Sequence, residues 1–239
     1  MDSFVVVDLE TTGLNAKKDK IIEIGAIRVE EGKQTGTFET FVNPGRVLPE
    51  KVQDITHITD QDLEGAPYIE EVIPKYLEFA GDYPLLGHSI IFDFSFLKRA
   101  AVNCGFSYER SGVDTLAIAR ACMPDMKKNL PSLCGHFGII YEPHRAFEDA
   151  RATLELYRIL EEQFCKEEKE KLFLPKELKH QVKKDRPATK SQKKYLLKLL
   201  NYHSITAEYN LDRLTRSEAS RYADSIISQY GQCPKGRSV

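Results

Sequence analysis

At 239 residues the chain is long enough for one sizeable domain and a small second one. No run of about eighteen apolar residues exists, which excludes an apolar membrane-spanning helix. Its five scattered cysteines include no C-x-x-C pair, which argues against a disulfide framework or zinc site and fits a reducing cytoplasm. The net charge of −2 hides a split, because residues 166–239 hold 17 Lys and Arg against 9 Asp and Glu. An acidic body therefore precedes a basic tail, and a basic tail suits a polyanion or a solvated linker.

The N-terminus MDSFVVVD lacks the basic start and small-residue cleavage site of a signal peptide, so a cytoplasmic protein is expected. Residues 3–8 read as a buried strand that runs into Asp8-Leu9-Glu10-Thr11-Thr12-Gly13-Leu14. Residues i and i+2 of a strand share a face, so Asp8 and Glu10 point the same way. Two adjacent carboxylates are unfavourable unless something positive lies between them, and a divalent cation with oxygen ligands is an economical explanation. A strand ending in an acidic turn is the bland alternative. Residues 21–29 and 37–42 read as further strands joined by a turn at 30–33, and Asn43-Pro44-Gly45 breaks the chain.

Short helical turns are expected around His57, then a helix over 68–79 despite Pro74. A short strand at 84–88 leads through Ser89 into a helix that reaches about 102 and carries Asp93 among Ile91, Phe92, Phe94 and Phe96. An acid in such surroundings is costly to bury unpaired and should face a cation or water. Asp114, between Gly112-Val113 and a helix over 116–122, is better read as an N-cap. Another helix covers 130–137, and a long one runs from Ala146 to about Lys169. His144, just before that helix, and Asp149, in its early turns, can flank one site. The pattern is α/β: a mixed central sheet flanked by helices.

The charged stretch 166–188 reads as a linker with room for helical turns. Capping-box patterns at Thr189–Gln192 and Thr215–Glu218 open two helices, the second stopped at Gly231. The expected organisation is a main α/β domain over 1–165, the linker over 166–188 and a small helical module over 189–239.

Three stretches in this order, Asp8-x-Glu10-Thr-Thr-Gly, Gly-His followed by Phe92-Asp93, and His144 five before Asp149, resemble the three motifs of the DnaQ-like (DEDDh) 3′→5′ exonuclease family, which includes the proofreading epsilon chains of bacterial DNA polymerase III. Supporting phrases are Thr56-His57-Ile58-Thr59, Val113-Asp114-Thr115 and Leu130-Pro-Ser-Leu-Cys. The resemblance covers about residues 3–163. It implies an RNase H-like fold and hydrolysis at nucleic-acid 3′ ends, with two divalent cations, Mg²⁺ or Mn²⁺, held by Asp8, Glu10, Asp93 and Asp149. It also implies His144 as general base, a role that suits imidazole near neutral pH. Thr11, Thr12 and Leu14 match the segment that meets the terminal nucleotide; for Leu14, plain loop packing is an equal alternative. Phe92 would stack on an unpaired base. His57 matches a histidine of the family's second loop, where a structural role is favoured. One departure is Ser89, where most relatives have Asn; its hydroxyl could still cap the helix.

DNA is the favoured substrate and RNA the alternative, since no residue here reports on the 2′-OH. A silent nucleic-acid-binding module would be expected to have lost a carboxylate or the histidine, and all five are present. The basic C-terminal module suits nucleic acid or a protein partner such as a polymerase; no membrane partner is expected.

Overall fold

The computed structural model describes residues 1–166 and 168–233. The expected end of the helical module, 234–239, lies outside them. The chain divides into two units, one of residues 1–44 and 48–182, the other of residues 45–47 and 183–239.

The first unit is built on a six-stranded sheet. Its strands are β1 (Phe4–Thr11), β2 (Ile21–Glu30), β3 (Lys33–Phe41), β4 (Leu85–Gly87), β5 (Ser111–Asp114) and β6 (Lys176–Glu177), in the order β3-β2-β1-β4-β5-β6. The pairs β1–β2, β2–β3 and β5–β6 are antiparallel, and β1–β4 and β4–β5 are parallel, so the sheet is mixed as expected. Helices α1 (Glu50–Thr56), α2 (Ile69–Ala80), α3 (Ile90–Cys104), α4 (Thr115–Cys122), α5 (Leu130–Phe137) and α6 (Ala146–Phe164) complete the unit. The hairpin turn is tighter than the sequence suggests. It is the dipeptide Glu31-Gly32, both residues at positive φ, a conformation that matches strand twist and lets β3 begin at Lys33.

Strand alternation sorts the core. Val5, Val7 and Leu9 pack with Val72, Tyr76, Phe94 and Leu97 on one face of the sheet. Phe4 and Val6 pack with Leu133, Ala150, Leu154 and Tyr157 on the other. Asp8 and Glu10 continue the register of Phe4 and Val6, which directs them to the α6 side. Opposite them on β2, Asp8 faces Gly25 and Glu10 faces Glu23.

Two expectations are corrected here, and a third stretch gains detail. Helix α6 stops at Phe164, five residues short of Lys169, where Cys165 leaves helical geometry. The hydroxyl of Ser89 caps nothing; Ser89 is held in the left-handed region at φ 72° by its own N–H, which donates to Asp114 Oδ1. That same oxygen caps α4 by accepting from the Leu116 N–H. The span 166–188 is not a bare linker. Its first part forms a 3₁₀ turn and β6, and it buries Phe173 and Leu178 in the two cores.

The second unit contains α7 (Lys190–His203) and α8 (Arg216–Tyr230), each opened by a complete capping box at Thr189 and Thr215. Leu196, Leu199 and Leu200 pack with Ala219, Ala223 and Ile226. Residues 45–47 add a short antiparallel piece of backbone to it, and Arg46 pairs with the buried Glu218 at 3.0 Å. Among the described residues no helix is long and apolar enough to cross a membrane.

Candidate active site

Strand β1 ends the apolar run with Asp8 and Glu10, and α6 brings Asp149 against them. One carboxylate oxygen from each of Asp8, Glu10 and Asp149 lies within 4.8 Å of the others. Small residues on α6 allow this approach, since Ala146 and Ala150 are fully buried one turn apart. Asp93 is placed differently. It is only 3 % exposed in the first turn of α3, a helix that packs on the opposite face of the sheet. Its charge nevertheless acts on the Asp8 carboxyl, so it adjoins the trio from behind the strand.

The electrostatics follow from this crowding. Burial, then the charges of Asp93, Asp149, Glu10 and Glu23, hold the Asp8 carboxyl well above the usual carboxylate range. Burial and the Asp149 and Glu23 charges push Glu10 up to about 8, with Arg145 opposing. Asp149 is pushed up to about 6, chiefly by burial, although the His144 N–H donates to it. Asp93 is raised mainly by burial. Without added positive charge this site favours protons, and its donor set of hard oxygens fits a hard divalent cation.

His144 sits on the turn before α6 in the left-handed region, φ 66°. Its N–H donates to Asp149 Oδ2 at 2.8 Å, while its exposed ring makes no hydrogen bond among the described residues. Thr11 and Thr12 are buried where β1 ends. The Thr11 hydroxyl donates to the Gly13 carbonyl, and the Thr12 hydroxyl accepts from the Lys20 N–H, closing the loop that carries Leu14. Leu14 is 87 % exposed, which removes loop packing as its role. Phe92 is half-buried against Phe96, ring centroids 5.0 Å apart. His57 caps α1 through its backbone, in left-handed geometry with its N–H on Gln53; the ring is exposed and unbonded among the described residues. His88, by contrast, is tied on both ring nitrogens, to Thr115 Oγ1 and the Lys128 carbonyl.

One charged residue near the cluster was missed from sequence. Glu23 is 1 % exposed on β2 and binds Arg145 and the Ala146 N–H. The signal was present, since an acid inside Ile21-Ile22-Glu23-Ile24-Gly25 raises the same question as Asp93 among its apolar neighbours.

The exonuclease (RNase_T) family model matches residues 5–157, which contain every one of these groups. The chain belongs to the exonuclease family. It is 39 % identical over 168 residues to the DNA polymerase III subunit epsilon of Aquifex aeolicus, covering 69 % of this chain and 83 % of that one. It is 42 % identical over 159 residues to the PolC-type DNA polymerase III of Clostridium perfringens, covering 66 % of this chain. The chain spans only 11 % of that polymerase's length. Among solved structures, exonuclease X in complex with 5′ overhanging duplex DNA superposes with a TM-score of 0.56 at 25 % identity, covering 67 % of this chain and 92 % of that one. The mixed sheet flanked by helices is thus the RNase H-like fold of exonucleases.

Proposed function

We propose that the chain is a two-metal-dependent 3′→5′ exonuclease that hydrolyses the terminal phosphodiester of single-stranded or frayed DNA and releases 5′-mononucleotides. The observation that carries this reading is the trio of carboxylates within 4.8 Å of one another, with Asp93 behind it and His144 on the adjoining turn. DNA is preferred over RNA because the relatives are DNA polymerase III proteins and exonuclease X is bound to DNA.

Asp8, Glu10, Asp93 and Asp149 would hold the two cations, Mg²⁺ or Mn²⁺. When bound, such a pair lowers the pKa of an attacking water and neutralises the leaving oxygen. The chain's own residues do the rest. The exposed His144 imidazole takes a proton from the attacking water through an unbonded ring nitrogen. Thr11 and Thr12 shape the pocket for the terminal sugar, Leu14 wedges against the last base, and Phe92 supports it by stacking.

The second unit is proposed to grip the nucleic-acid strand. Helix α7 exposes Lys190, Lys194 and Lys198 at four-residue intervals, interleaved with Tyr195 and Tyr202. Phosphates pair with such lysines, and bases stack on such rings. A polymerase is the competing partner, and the cytoplasm the proposed location.

End-labelled single-stranded DNA and RNA, incubated side by side with Mg²⁺ or Mn²⁺, test the reading. Stepwise shortening of DNA from the 3′ end is expected, with Asp8→Ala inactive. No cleavage by the wild type, or full cleavage by Asp8→Ala, would sink it.

A further inference from the structure

Glu23 is a buried carboxylate that the chemistry above does not use. Burying such a group is unfavourable unless its oxygens are paired, and these are fully paired. Oε1 accepts from Arg145 Nε at 3.2 Å and Nη2 at 2.9 Å, and Oε2 accepts from the Ala146 N–H at 3.0 Å. All three donors belong to the two residues that directly follow His144.

Two residues along the same face of β2, Gly25 reinforces the contact. A Cβ there would stand 2.2 Å from the carbonyl carbon of Ala146 and the nitrogen of Phe147. The first turn of α6 therefore rests on bare strand backbone. On its other side the turn is held by Asp149, which accepts the His144 N–H. His144 itself has φ 66°, a conformation that a side-chain-bearing residue adopts at a cost and keeps only when its surroundings enforce it. Here the enforcement comes from two carboxylates, Asp149 on the His144 N–H and Glu23 on the next two residues.

We infer that Glu23 is a positioning residue. With Arg145 as its fork, it clamps the turn that carries His144 beside Asp149. This rests on the reading of His144 as the proton acceptor. A guanidinium suits the task because its planar fork fixes direction, which a lysine does not.

The test compares Glu23→Gln, Arg145→Ala and Arg145→Lys with wild type on a 3′-labelled oligonucleotide. It adds melting temperatures and the NMR signal of the His144 ring, assigned by its loss in His144→Ala. Arg145→Lys guards against a folding defect in the other two variants, since it keeps a cation beside the buried Glu23 while losing the planar fork. Glu23→Gln and Arg145→Ala are expected to lower kcat by roughly 10- to 100-fold, the scale of a small misplacement of a catalytic group, with KM unchanged. The His144 signal should move in both, with Arg145→Lys intermediate. Wild-type kcat in Arg145→Ala, or a fall in melting temperature with kcat and the His144 signal unchanged, would overturn the inference. Full activity in His144→Ala would overturn the catalytic reading beneath it. The ring signal separates the two failures, because it reports the clamp without turnover.

Discussion

Asp8, Glu10 and Asp149 repel one another in the folded chain and not in the unfolded one, so the metal-free protein carries a stability cost at its own site. Asp8→Asn removes one of the charges at nearly constant shape. It should abolish cleavage and yet raise Tm in the presence of a chelator by a few degrees, at roughly 2–4 °C per kcal/mol for a chain of this size. Calorimetry of the two proteins checks this, and an unchanged or lower Tm would count against the repulsion. The pH dependence has a definite sign. The unfolded chain gives up the protons of Asp149 and Glu10 near their ordinary values of 3.8 and 4.5, whereas the folded chain keeps them until about 6 and about 8. Between those limits the folded state binds more protons, so these two groups lower metal-free stability as pH rises toward about 8. Divalent cations compete with the same protons, so their affinity should rise through that window. Melting curves from pH 4 to 9, with chelator and with excess Mg²⁺, should diverge as pH increases; parallel curves would contradict the assignment.

At the scale of elements, much was legible because the governing signals are local. Capping boxes at Thr189 and Thr215, the Gly231 stop and the Asp114 cap depend on residues a few positions apart, and each stands where the sequence predicts it. The paired face of Asp8 and Glu10 followed from the two-residue period of a strand. What escaped depends on distant partners. Glu23 acquires its meaning from Arg145 and Ala146, and Ser89 is held by Asp114 rather than by its own hydroxyl. Within the stretch 166–188, charged composition masked two anchors, Phe173 and Leu178. Phe173 lies in contact distance of Tyr157 in the core behind β1, ring centroids 6.1 Å apart. Phe173→Ala should therefore destabilise the first unit by about 3–5 kcal/mol in denaturant unfolding, as for a large core aromatic. A true linker residue would cost less than about 0.5 kcal/mol.

For the whole molecule, catalysis and strand affinity fall to separate units in the proposed reading, and salt distinguishes them. Replacing Lys190, Lys194 and Lys198 together by Ser should leave kcat unchanged. The same change should weaken single-stranded DNA binding and reduce the slope of log affinity against log salt by roughly 2, at about 0.7 per phosphate contact. An unchanged slope would direct attention to a protein partner for α7. The order in which the chain contributes to the carboxylate cluster has a kinetic consequence. Strands β1 and β2 pair through short loops and bring Asp8 opposite Gly25 from nearby sequence, but Asp149 arrives from more than a hundred residues away. Local hairpins form early and long-range contacts late, so the mutual repulsion of these acids is deferred to the final docking of α6. A bound cation would then act mainly after the rate-limiting barrier. Mg²⁺ should slow unfolding while leaving the refolding rate nearly unchanged, which makes the ion a lock on the finished fold rather than a seed for it.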